Sequence, residues 1–400
     1  MKKVSIVFNG SYRDTNGISS VVNNFLQEYQ RLLNNSIELL YLYDKTGIVT
    51  PKRIDINKDK PFLSNMNLLF CRIKTLINKF TSKSSVFVVV YIRYFLLSYF
   101  TSLRIVKNII ANDKSDVLIF HDPLTAGIYV RNKKKVGKVI LVMHCGENYF
   151  EVLKMYNKTL YGNSWFMKYY EPFIKETTLK VDKLILLCEN TFNYFSWVPK
   201  EKKIIIPNGI ACISNSLDVK KGSTDKIRFV TVANLIPLKN HSSVIEAIAL
   251  LSENDKNRMS YYIVGEGECK QELLELVYKL ELSNLVFFLG RRSDVPEILQ
   301  NMDVYISPSH TEGVPMSLLE ALRAGLFILT TDKGGCRDVL SPETGMIIGE
   351  APNDIYKSLV HFLRGRIDFS LVNIRSKELF NNKFSIDIMM DNYVKVIHSV

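Results

Sequence analysis

Two glutamates with seven residues between them stand in the stretch whose residue types are most specific, VYISPSHTEGVPMSLLEALRAG at residues 304–325. A strand is predicted to end near Ser307 and a helix to begin near Pro315, because proline lacks the N–H that would be unpaired at the first helical position. The amides of the first turn and the positive end of the helix dipole then form a site for a phosphate group. Glu312 precedes this helix and Glu320 lies about two turns into it. Carboxylates in those places suit the hydroxyls of a sugar or ribose.

Strands and helices must hold these residues in place. Along the chain, short apolar runs alternate with longer helical patterns, and this alternation is typical of βαβ units around parallel sheets. The predicted strands of the first half are Val4–Phe8, Ser36–Tyr43, Val117–His121, Lys138–His144 and Lys183–Cys188. Those of the second half are Arg228–Ala233, Tyr261–Val264, Leu285–Leu289, Val304–Ile306, Phe327–Thr330 and Met346–Ile348. The predicted helices include Ile18–Leu33, His241–Leu251, Lys270–Leu280, Asp294–Asn301 and Ser317–Ala324. The fold class is therefore α/β, with ligands expected at the carboxyl ends of the strands.

The positive charge of the chain belongs to its first half. Residues 1–200 carry a net charge of +14 and residues 201–400 a net charge of −2. The segment Lys60–Ala111 contains eight cations and no acid, and it includes the apolar run VFVVVYIRYFLLSYF at residues 86–100. No recognised nucleic-acid motif accompanies this charge, so nucleic-acid binding is not predicted.

Three interpretations of Lys60–Ala111 are open. A membrane-spanning helix would need about 20 apolar residues, and Arg93 stands in the middle of the run. A basic, aromatic helix lying on anionic lipid fits the composition better. A buried core helix flanked by solvated lysines is the third interpretation.

The cysteines and the first residues favour a cytoplasmic protein. The six cysteines are scattered, without a CxxC pair or metal-ligand spacing, as in a reduced compartment. The opening MKKVSIVFNG has too short an apolar run for a signal peptide, and we expect it to form the first strand.

EGVPMSLLE followed by ALRAG, at residues 312–325, resembles the retaining nucleotide-sugar glycosyltransferases of glycosyltransferase family 4. That family has the GT-B fold, in which two Rossmann-like domains face a central cleft. The resemblance implies that Glu312 meets the transferred sugar and that Glu320 meets the ribose hydroxyls. It also implies that the segment between them holds the diphosphate, through Gly313, Val314, Pro315, Met316 and Ser317.

Other parts of the second half carry the same resemblance. In VANLIPLKNHSSVIEAI, residues 232–248, Lys239 would bind the diphosphate and neutralise it as the leaving group. Many family members have an arginine where this chain has Asn234, which can still donate a hydrogen bond. IVGEGE supplies Gly265 in a tight turn, and FFLGRRSDVPEIL supplies Arg291 as a contact for the nucleotide base.

In the first half, NGISSVVNNF resembles the loop and helix that approach acceptor and phosphate in the family, through Asn16 and Gly17. ILVMHCGENYF matches the strand that ends in a histidine, so His144 would lie near the transferred sugar and contact the acceptor. The catalytic residues implied by the resemblance are therefore Glu312, His144 and Lys239.

The resemblance also assigns the domains. Residues 1–200 would form the N-terminal acceptor-binding domain and residues 201–375 the C-terminal nucleotide-sugar-binding domain. Residues 376–400 would form a C-terminal helix that crosses back to the N-terminal domain.

The predicted activity is that of a retaining hexosyltransferase in the synthesis of bacterial cell-surface polysaccharide: capsule, exopolysaccharide or O-antigen. The donor is a nucleotide diphosphate sugar, with UDP favoured, and the acceptor is a lipid-linked glycan at the inner face of the cytoplasmic membrane. The basic N-terminal half would meet the anionic membrane surface. The chain has no Asp-x-Asp triplet, so no obligatory metal or cofactor is predicted. Two alternatives stay open: a catalytically silent GT-B partner subunit and a GT-B sugar-nucleotide epimerase.

Overall fold

The computed structural model describes residues 1–11, 17–50, 86–132, 134, 136–212, 226–365 and 367–400. The chain divides into two compact units. The first unit consists of Met1–Ile206 together with Met390–Val400, and the second unit of Pro207–Met389.

The first unit is built on a seven-stranded sheet in the order β3-β2-β1-β4-β5-β6-β7. Neighbouring strands are parallel except for the pair β2 and β3. The strands are β1 (Lys2–Val7), β2 (Ile37–Asp44), β3 (Gly47–Val49), β4 (Val117–Phe120), β5 (Lys138–Met143), β6 (Lys183–Leu186) and β7 (Lys203–Ile205). The helices are α1 (Gly17–Gln27), α2 (Tyr29–Asn34), α3 (Phe87–Asn112), α4 (Pro123–Val130), α5 (Tyr149–Tyr156), α6 (Lys158–Tyr161), α7 (Ser164–Lys180) and α8 (Glu189–Tyr194).

The second unit is built on a six-stranded parallel sheet in the order β10-β9-β8-β11-β12-β13. Its strands are β8 (Ile227–Val232), β9 (Met259–Val264), β10 (Val286–Gly290), β11 (Val304–Ser307), β12 (Phe327–Thr331) and β13 (Gly345–Ile348). Its helices are α9 (His241–Ala249), α10 (Glu253–Lys256), α11 (Lys270–Lys279), α12 (Val295–Gln300), α13 (Met316–Ala324), α14 (Pro352–Arg364) and α15 (Phe369–Lys383). A last helix, α16 (Ile386–Ser399), follows.

The central strands are mostly apolar and deeply buried, as is typical of parallel sheets covered by helices on both faces. All four residues of β4 are buried, as are all four of β11. In the second unit, Ile263, Ile306 and Leu329 of the strands belong to one core cluster with Leu359 and Phe362 of α14. Each such side chain contributes about 1.5–3 kcal/mol on burial, and the strand ends are thereby held in a fixed frame.

The predicted α/β fold with two doubly wound parallel sheets is confirmed. Every predicted strand is present, and no predicted end is displaced by more than two residues. The single helix predicted over Ile18–Leu33 is instead two helices, because Glu28 departs from helical geometry between α1 and α2. The short strands β3 and β7, at the two edges of the first sheet, were not predicted.

Helix α3 covers the described part of the basic segment Lys60–Ala111, whose residues 60–85 lie outside the described residues. It contains a π-helical turn at Tyr91–Leu96. Judged by length and composition alone, α3 is the one helix in the described part of the chain that could span a membrane. One face is buried, through residues such as Leu97 and Ile105, while Val88 and Phe100 are exposed.

Candidate active site

The predicted site residues of the second unit gather where the strand order of its sheet reverses. β8 and β11 are neighbours, and the chain leaves them toward opposite sides, so their carboxyl ends open a crevice at which ligands of doubly wound folds bind. Asn234 and Lys239 lie in the loop after β8. Glu312 lies in the loop after β11.

Lys239 and Glu312 form an ion pair at this crevice. The Lys239 Nζ atom donates to Glu312 Oε1 at 2.6 Å. The Glu312 side chain is 9% exposed and that of Lys239 is 23% exposed. Lys239 ends a 3-10 turn at Pro237–Lys239, and the left-handed residue Asn240 (φ 54°) follows it and immediately precedes α9. The structure thus brings together two of the three predicted catalytic residues.

The amino end of α13 lies immediately after Glu312. The amides of Leu318 and Leu319 donate to the carbonyl of Pro315, both at 3.2 Å. The amides of Met316 and Ser317 have no acceptor among the described residues. Pro315 itself precedes the helix rather than being its first residue, so the predicted start is displaced by one position. Two open amides at the positive end of a helix are a site for an anion.

Glu320 lies within α13 and is half-buried. Burial raises the pKa of its carboxyl group, and the nearby Arg323 guanidinium lowers it only in part. Arg323 Nη1 is directed to the carbonyl of Ala211 at 2.7 Å. No salt bridge joins Glu320 to another side chain in the described structure. Its carboxylate is therefore available to accept hydrogen bonds from a ligand.

A second charged network at the crevice was not predicted. Glu350 accepts from Lys333 Nζ at 2.7 Å and is paired with His310 Nδ1 at 2.6 Å. Burial would raise the pKa of Glu350, but these two hydrogen bonds lower it on balance. Asn240 Nδ2 donates to the carbonyls of Pro308 and Glu350, at 3.1 and 3.0 Å. Lys333 and Glu350 follow β12 and β13, a position at the carboxyl edge of the sheet that could have singled them out.

The loop after β12 packs directly on the loop that carries Glu312. Gly334 has φ 56°, and a Cβ atom there would lie 2.0 Å from the Glu312 carbonyl oxygen. The Gly335 amide donates to the Gly313 carbonyl at 2.8 Å. A left-handed conformation and a close backbone approach both require glycine at position 334. This contact fixes the backbone from which the Glu312 side chain extends.

Of the remaining predicted donor residues, Asn234 and Arg291 lie on the surface of the second unit and Gly265 is half-buried. Asn234 is exposed. A Cβ atom added at Gly265 (φ 148°) would lie 1.9 Å from the carbonyl oxygen of Ala233, so close packing alone accounts for glycine there. Arg291 is exposed with no partner in the described structure, whereas Arg292 pairs with Asp294 at 2.8 Å. Of the two arginines, Arg291 is the one available to a ligand.

In the first unit, His144 directly follows β5 and contacts a second histidine that was not predicted as functional. The Nδ1 atom of His121, which directly follows β4, lies 2.9 Å from Nε2 of His144. The rings are stacked with centroids 5.2 Å apart. Burial lowers the pKa of His144 to about 4. Burial also holds the pKa of His121 well below its usual range, and the charge of His144 acts in the same direction. Both rings are therefore neutral at physiological pH.

The other predicted acceptor residues are Asn16 and Gly17. Gly17 begins α1, and Asn16 lies outside the described residues. No cluster of three or more His, Cys, Asp or Glu side chains able to hold a metal ion occurs in the described parts of either unit.

Residues 215–366 match the sequence model of the family described as glycosyl transferases group 1, a stretch shorter than half of the chain. The chain is 31% identical over 159 residues to the O-antigen biosynthesis glycosyltransferase WclY of Escherichia coli, an alignment that covers 38% of this chain and 43% of WclY. It is 28% identical over 328 residues to the UDP-Gal:alpha-D-GlcNAc-diphosphoundecaprenol alpha-1,3-galactosyltransferase of Escherichia coli, covering 76% of this chain and 81% of that protein.

Among solved structures, Anabaena Alr3699/HepE in complex with UDP and glucose aligns over 100% of both chains, with a TM-score of 0.66 and 12% identity. At that identity the likeness establishes the fold, and the chain has the GT-B fold. The family match and the fold together support a glycosyltransferase with the GT-B fold.

Proposed function

We propose that this chain is a retaining glycosyltransferase of family 4 that moves a hexosyl residue from a UDP-sugar to a lipid-linked glycan. The observation that carries the proposal is the 2.6 Å contact of Lys239 with Glu312 beside the open amides of Met316 and Ser317. In a nucleotide diphosphate sugar, the sugar and the diphosphate are joined by one bond. Such a ligand needs a carboxylate for hydroxyls and a cation for phosphate side by side.

In the proposed reaction, Lys239 and the α13 amides stabilise negative charge that develops on the departing diphosphate. Preorganised charges of this kind are commonly the largest contribution to catalysis. The bond between the anomeric carbon and the diphosphate oxygen breaks while the acceptor oxygen bonds to the same face of the sugar. The acceptor proton passes to the departing phosphate oxygen, so no enzymic nucleophile is needed. Because Lys239 and the α13 amides neutralise the diphosphate, no obligatory metal is proposed. Glu312 exchanges its contact with Lys239 for contacts with sugar hydroxyls.

The nucleotide is proposed to be UDP. A relative whose name specifies UDP-Gal and a GT-B neighbour that holds UDP and glucose support this choice. Glu320 would accept hydrogen bonds from the ribose hydroxyls, Arg291 would contact the base, and Asn234 would donate to phosphate. Gly265 would let the β9 turn approach the nucleotide.

The acceptor is proposed to be a glycan linked to a lipid diphosphate. The relative named UDP-Gal:alpha-D-GlcNAc-diphosphoundecaprenol alpha-1,3-galactosyltransferase supports this choice, because the sugar in that name is joined to a lipid diphosphate. In the first unit, His144, Gly17 and Asn16 are the proposed acceptor residues, with His144 also contacting the transferred sugar. The product would be capsule, exopolysaccharide or O-antigen, made at the inner face of the cytoplasmic membrane.

Membrane contact is proposed to occur through an aromatic groove of about 400 Å³ between α3 and α7 of the first unit. The groove is lined by Tyr91, Phe95, Tyr99, Leu124, Trp165, Phe166, Tyr169, Tyr170 and Phe173. Trp165 and Tyr169 are each 61% exposed, and Lys168 lies between them on the same helix. Exposed aromatic rings beside cations are typical of a surface that meets anionic lipid. We therefore favour the interpretation of α3 as part of a membrane-surface contact.

The double substitution of Trp165 and Tyr169 by serine is expected to weaken binding to phosphatidylglycerol vesicles about 10-fold, since each exposed ring contributes apolar area on insertion. Vesicle sedimentation measures the affinity. Trp165 is one of only two tryptophans, so its emission should shift to the blue on binding. Tyr278→Ser is the matched control, because Tyr278 is 81% exposed on α11 of the second unit. Equal vesicle affinities of the double variant and the wild-type protein would refute membrane contact through this groove.

The function is tested by thermal stabilisation of the purified protein with UDP, GDP and their sugar conjugates, followed by transfer to a synthetic lipid-diphosphate glycan. We expect UDP and a UDP-sugar to raise the melting temperature, and product with retained anomeric configuration to form. Stabilisation without transfer but with conversion of the free donor to an epimer would favour an epimerase. Absence of stabilisation by any nucleotide would favour a silent partner subunit.

A further inference from the structure

The buried contact between His121 and His144 determines which nitrogen of His144 faces a ligand. A neutral imidazole carries one proton, on either Nδ1 or Nε2, and the other nitrogen is an acceptor. The 2.9 Å contact joins His121 Nδ1 to His144 Nε2. One of these two atoms must therefore carry the shared proton and the other must accept it.

The second nitrogen of His121 distinguishes the two arrangements. His121 Nε2 is buried and has no hydrogen-bond partner among the described residues. If His144 donated, His121 Nδ1 would be the acceptor and Nε2 would carry a buried N–H without a partner. If His121 donates, its Nε2 is an unprotonated acceptor. Among backbone groups, a buried N–H without a partner is rarer than a buried acceptor without one. The same preference applied to the His121 ring favours an unprotonated Nε2, and therefore donation by His121 Nδ1.

Donation by His121 leaves one protonation state for the neutral His144 ring. Its Nε2 accepts from His121, so its own proton lies on Nδ1. His144 is half-buried, and Nδ1 has no protein partner in the described part of the chain. Nδ1 is then the ring atom that meets a ligand, and it meets the ligand as a donor.

We propose that His121 is a positioning residue that fixes His144 as a neutral Nδ1–H donor toward an oxygen of the bound sugar. His144 in this state cannot accept a proton at Nδ1, so it orients a hydroxyl or stabilises an oxyanion and does not act as a general base. The inference rests on the proposed function for the identity of the ligand. The tautomer itself depends only on the two histidines.

The first test is the nitrogen-15 spectrum of histidine-labelled wild-type protein, with the His144 signals assigned from a His144→Gln variant. Long-range correlations to the ring carbon-bound protons distinguish a protonated Nδ1 from a protonated Nε2. We expect His144 to be protonated on Nδ1 at neutral pH. Protonation of His144 on Nε2 would overturn the proposal, whether or not the protein transfers sugar.

The second test uses two substitutions of His121. His121→Leu removes the donor and the unpaired nitrogen together, so the melting temperature should not fall while kcat/KM for transfer falls about 10-fold to 100-fold. His121→Asn keeps a donor close to the position of Nδ1, and it should keep the His144 tautomer and most of the activity. A His121→Leu variant whose His144 signals are unchanged would contradict the positioning role.

Failure of the proposed function can be recognised separately. Wild-type protein that binds no nucleotide and transfers no sugar would refute the transferase assignment, whereas the tautomer measurement would still report on the histidine pair. His361→Gln is a control for the labelled spectra, because His361 is exposed on α14 of the second unit. Its removal should leave the His121 and His144 signals in place.

Discussion

Replacing Lys239 with alanine is expected to lower the rate of sugar transfer at saturating donor by about 100-fold to 1,000-fold, the usual effect of removing one preorganised charge from a transition state. Its ammonium group lies 2.6 Å from Glu312 Oε1 at the switch point of the second sheet. The departing diphosphate gains charge there as the glycosidic bond breaks. The rate is measured with a UDP-sugar and a lipid-diphosphate acceptor under single-turnover conditions.

A complication is that the same change leaves Glu312 without its cation, and the Glu312 side chain is only 9% exposed. Removing one partner of a partly buried pair destabilises the fold as well as the site. The double variant Lys239→Ala with Glu312→Gln removes the unpaired charge, so it should recover thermal stability without recovering the rate. Lys270→Ala is the matched control, because Lys270 forms a comparable 2.7 Å pair with Glu266 on a more exposed part of the second unit. A transfer rate of Lys239→Ala within threefold of the wild-type rate would show that Lys239 does not stabilise the leaving diphosphate.

Replacing Glu320 with glutamine is expected to weaken UDP binding about 10-fold to 100-fold and to raise the melting temperature of the ligand-free protein. The first effect follows from the loss of hydrogen bonds from ribose hydroxyls to a charged acceptor, each of about 1.5–3 kcal/mol. The second follows from burial, which raises the pKa of the Glu320 carboxyl group. An ionised carboxylate is costly at this position, and the neutral amide has the same shape.

The raised pKa of Glu320 determines the direction in which the stability of the protein changes with pH. A carboxyl group whose pKa is raised in the folded state holds its proton more tightly there than in the unfolded chain, so its contribution to stability falls as the pH rises. The melting temperatures of wild-type protein and Glu320→Gln should therefore be closest in acid and should diverge toward neutral pH. Thermal scans of both proteins from pH 4 to pH 8, with and without UDP, measure the two effects together. Glu253→Gln, at an exposed residue of α10, is the control.

The strands were predictable from sequence because buried parallel strands are apolar on both faces and are bounded by polar turns. The break at Glu28 was not, since its backbone angles (φ −87°, ψ 16°) depart from helical geometry although glutamate is a good helix-forming residue. The edge strand β3 was missed although Asp44 accepts hydrogen bonds from the amides of Thr46 and Gly47 at 2.7 and 3.1 Å. A DKTG turn of this kind is a local signal for a hairpin.

The candidate site was predictable in the parts that a single loop carries. Glu312, Glu320 and the α13 amides belong to one strand-turn-helix segment, so their proximity follows from sequence spacing. The pairing of Glu350 with Lys333 and the contact of His121 with His144 join residues that follow different strands. Those contacts depend on how neighbouring strands are aligned and on side-chain rotamers, which residue types alone do not determine.

The discontinuous first unit has a consequence for synthesis on the ribosome. The second unit is one unbroken stretch, Pro207–Met389, whereas the first unit needs Met390–Val400 as well as Met1–Ile206. The Lys2 ammonium donates to the Ile397 carbonyl at 3.0 Å, and the Phe25 and Tyr393 rings meet edge to face at 4.8 Å. Domains usually fold in the order in which they are made. Here the part made first lacks its last segment until the second unit has emerged, so we expect nascent chains to leave exposed the surface around Lys2 and Phe25 that Met390–Val400 later covers.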